Sequence, residues 1–238
     1  MWLRHAWLLC LLSIVVSVAV TESVVFDNGI LHMEWEPTMY SLVQLAITDQ
    51  GEVHNFMRSS SKLLPLWSVQ VVDSILAFED VVDTRKCAAL DYNVLVNEND
   101  QTTILLVFEQ CQGENFKVSF NANVTVTIDH ASSMSKWHIG FSDIPPTWSF
   151  LQVTLLQVGA LEGAVLYLPD AFGAALPLSN TTSSIPPKCN IYPSSSCSFQ
   201  AAFLTSEVNP PSHRSHLLYY GANDLSMQMK TLCSEVVG

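Results

Sequence analysis

Apolar and polar residues alternate through much of the chain, most clearly where Val118, Phe120, Ala122, Val124, Val126 and Ile128 interleave with Ser119, Asn121, Asn123, Thr125 and Thr127. A period of two puts one set on a buried face and the other on a wet face of a β-strand. Similar segments run through Ser23–Phe26, Ile30–Trp35, Leu42–Ile47, Leu66–Val72, Lys136–Phe141, Phe150–Val158, Ala164–Leu168, Ser198–Leu204, His216–Gly221 and Met227–Leu232. Between the first two lies Asp27-Asn28-Gly29, whose Asn-Gly step supplies the positive φ of a tight hairpin, and Asp49-Gln50-Gly51 repeats that signal. No dozen-residue segment carries a 3.6-residue apolar stripe. Ser74–Val82 comes nearest, with room for a turn or two of helix. Short strands separated by turn signals predict an all-β fold, a large antiparallel β-sandwich. The Ser/Thr/Pro-rich stretch Pro177–Ser196 reads as a long ordered surface loop.

Residues 1–19 have a different texture: Arg4, an apolar run from Ala6, and a small-residue exit at Ser17-Val18-Ala19. This is the pattern of a secretory signal peptide, too short in its apolar part to span a bilayer. The expected organisation is a leader over 1–19 and one sandwich domain over 20–238, secreted, with no membrane contact after cleavage. The whole chain of 238 residues has 10 Lys+Arg against 22 Asp+Glu, a net charge of -12. Such an acidic balance cannot displace counterions from a duplex, so no nucleic-acid partner is expected.

Export permits disulfides, and loss of Cys10 with the leader leaves Cys87, Cys111, Cys189, Cys197 and Cys233, an odd number. Apolar-rich segments flank the polar turn Asn97-Glu98-Asn99-Asp100 and read as a hairpin. If Asn99 is its centre, Cys87 and Cys111 stand directly opposed and bridgeable. Cys189 and Cys197 flank a short Pro-Ser loop and form the expected second pair, with Cys233 left over. Asn123-Val124-Thr125 and Asn180-Thr181-Thr182 are N-glycosylation sequons, and Asn123 falls on the wet face of its strand.

Familiar catalytic signatures are missing: no Gly-x-Ser-x-Gly elbow, phosphate loop, dinucleotide fingerprint or His-Glu-x-x-His helix occurs. His213 and His216 precede a strand and follow Pro210-Pro211, so two surface histidines are expected there and no metal site. No cofactor and no catalytic residue is assigned. Asp224 sits in a turn, where Asp is the default turn former. Trp67, Trp137 and Trp148 have faces on which a sugar could stack. Of these, Trp148, after Pro145-Pro146 in an expected loop, is the candidate carbohydrate contact.

Read in order, several segments resemble the galactose-mutarotase-like supersandwich domain that precedes the catalytic barrel of some glycoside hydrolases. They are the opening hairpin Val25–Trp35, Pro65-Leu66-Trp67-Ser68-Val69, Tyr192-Pro193 with Phe199–Phe203, and Leu218-Tyr219-Tyr220-Gly221-Ala222-Asn223-Asp224 followed by Lys230 and Leu232. Asn223 stands where that pattern often has His. The family keeps its catalytic acids in the barrel, so the resemblance implies a non-catalytic scaffold or carbohydrate-contacting module, with a downstream barrel as its expected partner. The alternatives are a free-standing aldose epimerase or glycosidase, which needs a His and a carboxylate in one cleft, and an extracellular adhesion or structural sandwich.

Overall fold

The computed structural model describes residues 22–57, 63–75, 78–97, 100–115, 118–131 and 134–156, and the strands 165–168, 174–177, 188–192, 201–205, 217–221 and 230–234. The leader and Asn180 lie outside these residues, as do Cys197, His213, His216, Asn223 and Asp224.

Seventeen strands and one 3-10 turn make up the described elements, with no α-helix among them, so the fold is all-β and antiparallel. The first sheet is a meander of β1 (Val24–Asp27), β2 (Leu31–Trp35), β3 (Leu42–Asp49) and β4 (Glu52–Asn55). The β1–β2 turn forms as the Asp-Asn-Gly signal requires. Gly29 sits at φ 81°, Asp27 Oδ1 accepts from Gly29 N at 2.8 Å, and Asn28 Oδ1 accepts from Leu31 N at 2.7 Å. Between β3 and β4, Gln50 and Gly51 both take positive φ, the conformation of a two-residue hairpin loop.

A second sheet has the order β11-β5-β6, from β5 (Trp67–Asp73), β6 (Glu79–Asp83) and β11 (Trp148–Leu155). Within Ser74–Val82 the described residues are a turn at 74–75 and strand from Glu79 onward instead of helix, because Val82 pairs with Val69 across the β5–β6 ladder and is fully buried. The 3-10 turn Thr84–Lys86 follows, capped by Asp83, whose side chain accepts from Arg85 N. The third sheet is the meander β7 (Ala89–Asn97), β8 (Gln101–Cys111), β9 (Phe120–Asp129) and β10 (Ser135–Ser142). In β9 the alternation holds from Phe120 to Ile128, with every second residue buried. Val118 departs from it: it precedes the strand and is half exposed.

One continuous apolar core joins these three sheets. Trp67 lies at its centre, with the rings of Phe108, Phe120 and Phe141 at 5.6, 6.2 and 5.9 Å. Phe108 and Phe141 meet it edge-on and Phe120 at a tilt, contacts that add to the burial of large apolar surface. Trp35, equally buried, meets Trp137 at 5.9 Å.

Further along, β12 (Val165–Leu168), β13 (Ala174–Pro177), β15 (Ala201–Thr205) and β16 (Leu217–Gly221) form a sheet in the order β13-β12-β15-β16. A two-stranded sheet pairs β14 (Lys188–Tyr192) with β17 (Lys230–Ser234). Strand β14 corrects the reading of Pro177–Ser196 as one long loop: its Cys-Asn-Ile-Tyr run is short and Pro-flanked, and its partner lies some forty residues on. Local pattern does not register a strand stabilised by so distant a neighbour.

Tyr40 carries a pH-dependent contribution to this core. It is buried at φ 52°, edge-on to Phe108 and Tyr92. Burial, aided by Asp91, Tyr92 and Glu36, pushes its phenol up to about 12. The folded state then holds its proton where the unfolded chain has lost it. The stability tied to the neutral phenol is intact below pH 10 and falls as pH rises from 10 through about 12. Ultraviolet titration should show one late-ionising tyrosine with loss of near-ultraviolet circular dichroism over that window, and Tyr40→Phe should remove the late step.

Candidate functional site

The arrangement nearest to catalytic geometry sits at one end of the third sheet. Asp100, at φ 58°, immediately precedes β8; Thr102 is the second residue of β8; His130 immediately follows β9. The β8–β9 register pairs Gln101 with Asp129 and Thr102 with Ile128, which brings His130 beside both other residues. His130 Nδ1 lies 3.1 Å from Asp100 Oδ1 and Nε2 lies 2.6 Å from Thr102 Oγ1. The backbone N–H of His130 also donates to Asp100 O at 3.1 Å. With Nδ1 protonated, the ring donates to the carboxylate and Nε2 accepts from the threonine hydroxyl.

Hydroxyl, imidazole and carboxylate in this order are the parts of a nucleophilic relay. Their surroundings give them another job. Thr102 is only 4% exposed, so its oxygen offers no line of attack on a substrate carbonyl. Phe26 of β1 packs on His130 with ring centroids 6.0 Å apart, linking the imidazole to the first sheet. The cluster ties the β7–β8 turn to the end of β9 and satisfies a buried hydroxyl. No local sequence signal marks it, since Asp100 and His130 stand in two different turns and Thr102 stands in β8.

Other charged groups serve turns in the same way. Glu36 accepts from Thr38 N and Met39 N, each at 2.7 Å, and from Ser41 N at 3.2 Å, closing the β2–β3 connection. Asp27 accepts from Gly29 N and lies 3.1 Å from His32 Nδ1; the backbone bond first, then the histidine, holds its carboxyl below the usual range. Asp83 binds Arg85 Nε at 3.0 Å and thereby raises the guanidinium further. Lys86 reaches Glu114 at 3.4 Å and donates to Val81 O at 2.7 Å. Among the described residues no three His, Cys, Asp or Glu side chains gather as a metal site, and no helix is long and apolar enough to cross a membrane.

Trp148 does not stand in a loop. It opens β11 opposite Asp73, is 8% exposed, and packs edge-on to Phe120 at 6.1 Å. Its indole is packed into the core. Trp67 is fully buried, and Trp137 is half-buried with Nε1 donating to Ser135 Oγ at 3.0 Å.

Two features do match their sequence signals in position. Cys87 and Cys111 are joined by a disulfide, and Cys111 is fully buried. Asn123 is exposed on the outer face of β9, opposite Gly140 of β10. A Cβ on Gly140 would stand 2.5 Å from Asn123 Oδ1, so the glycine is what lets the asparagine amide lie across the neighbouring strand. The third sequon residue, Thr125, pairs with His138 on the same ladder.

No known protein family, characterised protein or solved structure matches the chain.

Proposed function

We propose that the chain is an exported, non-catalytic β-sandwich that works as a scaffold. The observation that supports this reading is where its reactive side chains are employed. The only relay-like trio described, Asp100–His130–Thr102, closes a turn around a buried hydroxyl, and Glu36, Asp27 and Asp83 are likewise occupied in turns. A sandwich held at its corners in this way presents rigid outer faces and keeps its chemistry for itself. The disulfide and the exposed sequon at Asn123 support passage through an oxidising, glycosylating compartment. The ordered resemblance to the supersandwich domain of glycoside hydrolases supports a scaffold whose neighbour does the chemistry.

A mutarotation and aryl-glycoside panel on the purified full chain tests this. No turnover is expected; turnover of any aldose or aryl glycoside that disappears with His130→Ala would overturn the scaffold reading in favour of an enzyme. Expression through a secretory host should yield a glycoprotein whose electrophoretic mobility shifts by one glycan in Asn123→Gln. An unchanged mobility would remove the role given to that face.

A further inference from the structure

We propose that Cys189 and Cys233 form a second disulfide, which locks the β14–β17 sheet and leaves Cys197 as the odd thiol. The backbone register is the ground for it. Five successive pairs run Lys188↔Ser234, Cys189↔Cys233, Asn190↔Leu232, Ile191↔Thr231 and Tyr192↔Lys230, so the two cysteines are direct partners in an antiparallel ladder. Direct partners share a face, with Cα atoms about 4.5–5.5 Å apart, inside the range a disulfide spans. A slip of one residue would set Cys189 against Leu232 or Ser234 and abolish the match.

The pairing first expected, Cys189 with Cys197, fits this backbone less well. From Cys189 the strand runs extended to Tyr192, carrying the chain about 10 Å away, and the five residues from Pro193 to Cys197 would have to retrace that path. There is also a physical reason for a staple at this place. A two-stranded sheet is marginal in water, and here its strands are separated by the whole β15–β16 hairpin, so its closure entropy is that of a long loop. A covalent link between the strands removes that entropy from the unfolded chain.

The bond forms by thiol–disulfide exchange with a disulfide donor, an oxidoreductase disulfide or an oxidised low-molecular-weight thiol. One cysteine thiolate attacks the donor, forming a mixed disulfide and expelling one donor thiolate. The second cysteine thiolate then attacks the protein sulfur of that mixed disulfide and expels the other. The two cysteines together lose two electrons and two protons, and the donor is released as two thiols.

Peptide mapping of the secreted full-length protein, alkylated in acid and digested with trypsin without reduction, tests the pairing. Cleavage after Lys188, Arg214 and Lys230 yields Cys189–Arg214, which holds both Cys189 and Cys197, and Thr231–Gly238, which holds Cys233. The two are expected as one linked species, lighter by two hydrogens than the reduced pair. Fragmentation at the Tyr192–Pro193 bond should leave Thr231–Gly238 attached to the piece carrying Cys189. Attachment to the piece carrying Cys197, or an internal link within Cys189–Arg214, would overturn the proposal. Cys197→Ser should keep the link, and its loss in that variant would equally overturn it. Cys87 and Cys111 fall together in the tryptic peptide Cys87–Lys117, and the internal bond between them serves as the control. If they are linked while Cys189 and Cys233 are alkylated, this inference alone fails; if all are alkylated, the export reading fails with it.

Discussion

Replacing Trp67 by Ala is expected to destabilise the fold by about 3–5 kcal/mol, the range for deleting a large aromatic from a packed core. Trp67 is fully buried, and Phe108, Phe120 and Phe141 each face it. These rings belong to β8, β9 and β10, whereas Trp67 belongs to β5, so its indole bridges two sheets. Removing it leaves a void that rigid aromatic neighbours cannot close by small shifts, and the cavity adds to the lost transfer energy. Trp67→Phe should cost clearly less. The buried indole Nε1 has no hydrogen-bond partner among the described residues, so its loss forfeits no bond and relieves an unsatisfied donor. Denaturant unfolding of both variants checks this. A Phe variant as unstable as the Ala variant would mean that the indole N–H is satisfied and matters.

Exchanging both Cys87 and Cys111 for Ala is expected to cost about 3 kcal/mol in the chain-entropy account, for a loop closed over a sequence separation of 24 residues. Ala is the appropriate replacement because Cys111 is fully buried, and a serine hydroxyl there would add a desolvation penalty of its own. Chemical unfolding with and without reductant gives a second measure. Reductant should lower the midpoint of the native protein by clearly more than that of the double variant, in which only the proposed Cys189–Cys233 link is left to reduce. Equal sensitivity of the two proteins would assign the effect to other cysteines.

The disulfide also separates what was legible in the sequence from what was not. The β7–β8 register runs from Ala89↔Glu109 to Asn97↔Gln101, the register set by centring the hairpin on Asn99, and turn chemistry with equal flanks was enough to read it. The face on which Cys111 lies was not legible. Strict alternation from Ile104, Leu106 and Phe108 would turn Cys111 outward. Instead the β8–β9 ladder shifts between Phe108 and Cys111, Gln110 takes φ 53°, and its N–H donates to Asn121 Oδ1 at 2.9 Å. That bulge flips Cys111 into the core. It depends on an asparagine of the next strand, which no pattern within β8 contains.

The same division holds elsewhere in the molecule. By itself the sequence determined the all-β class, the first hairpin through Asp27-Asn28-Gly29 and the buried row from Phe120 to Ile128, because each follows from bonds and periodicity within a few residues. Tertiary structure alone decided that Glu79–Val82 is strand, that Trp148 belongs to the core, that β14 meets β17, and that His130 joins Asp100 and Thr102. Each of these rests on a partner distant in sequence. A side chain's local preference is worth less than the burial or hydrogen bond that such a partner supplies, so the partner sets the outcome.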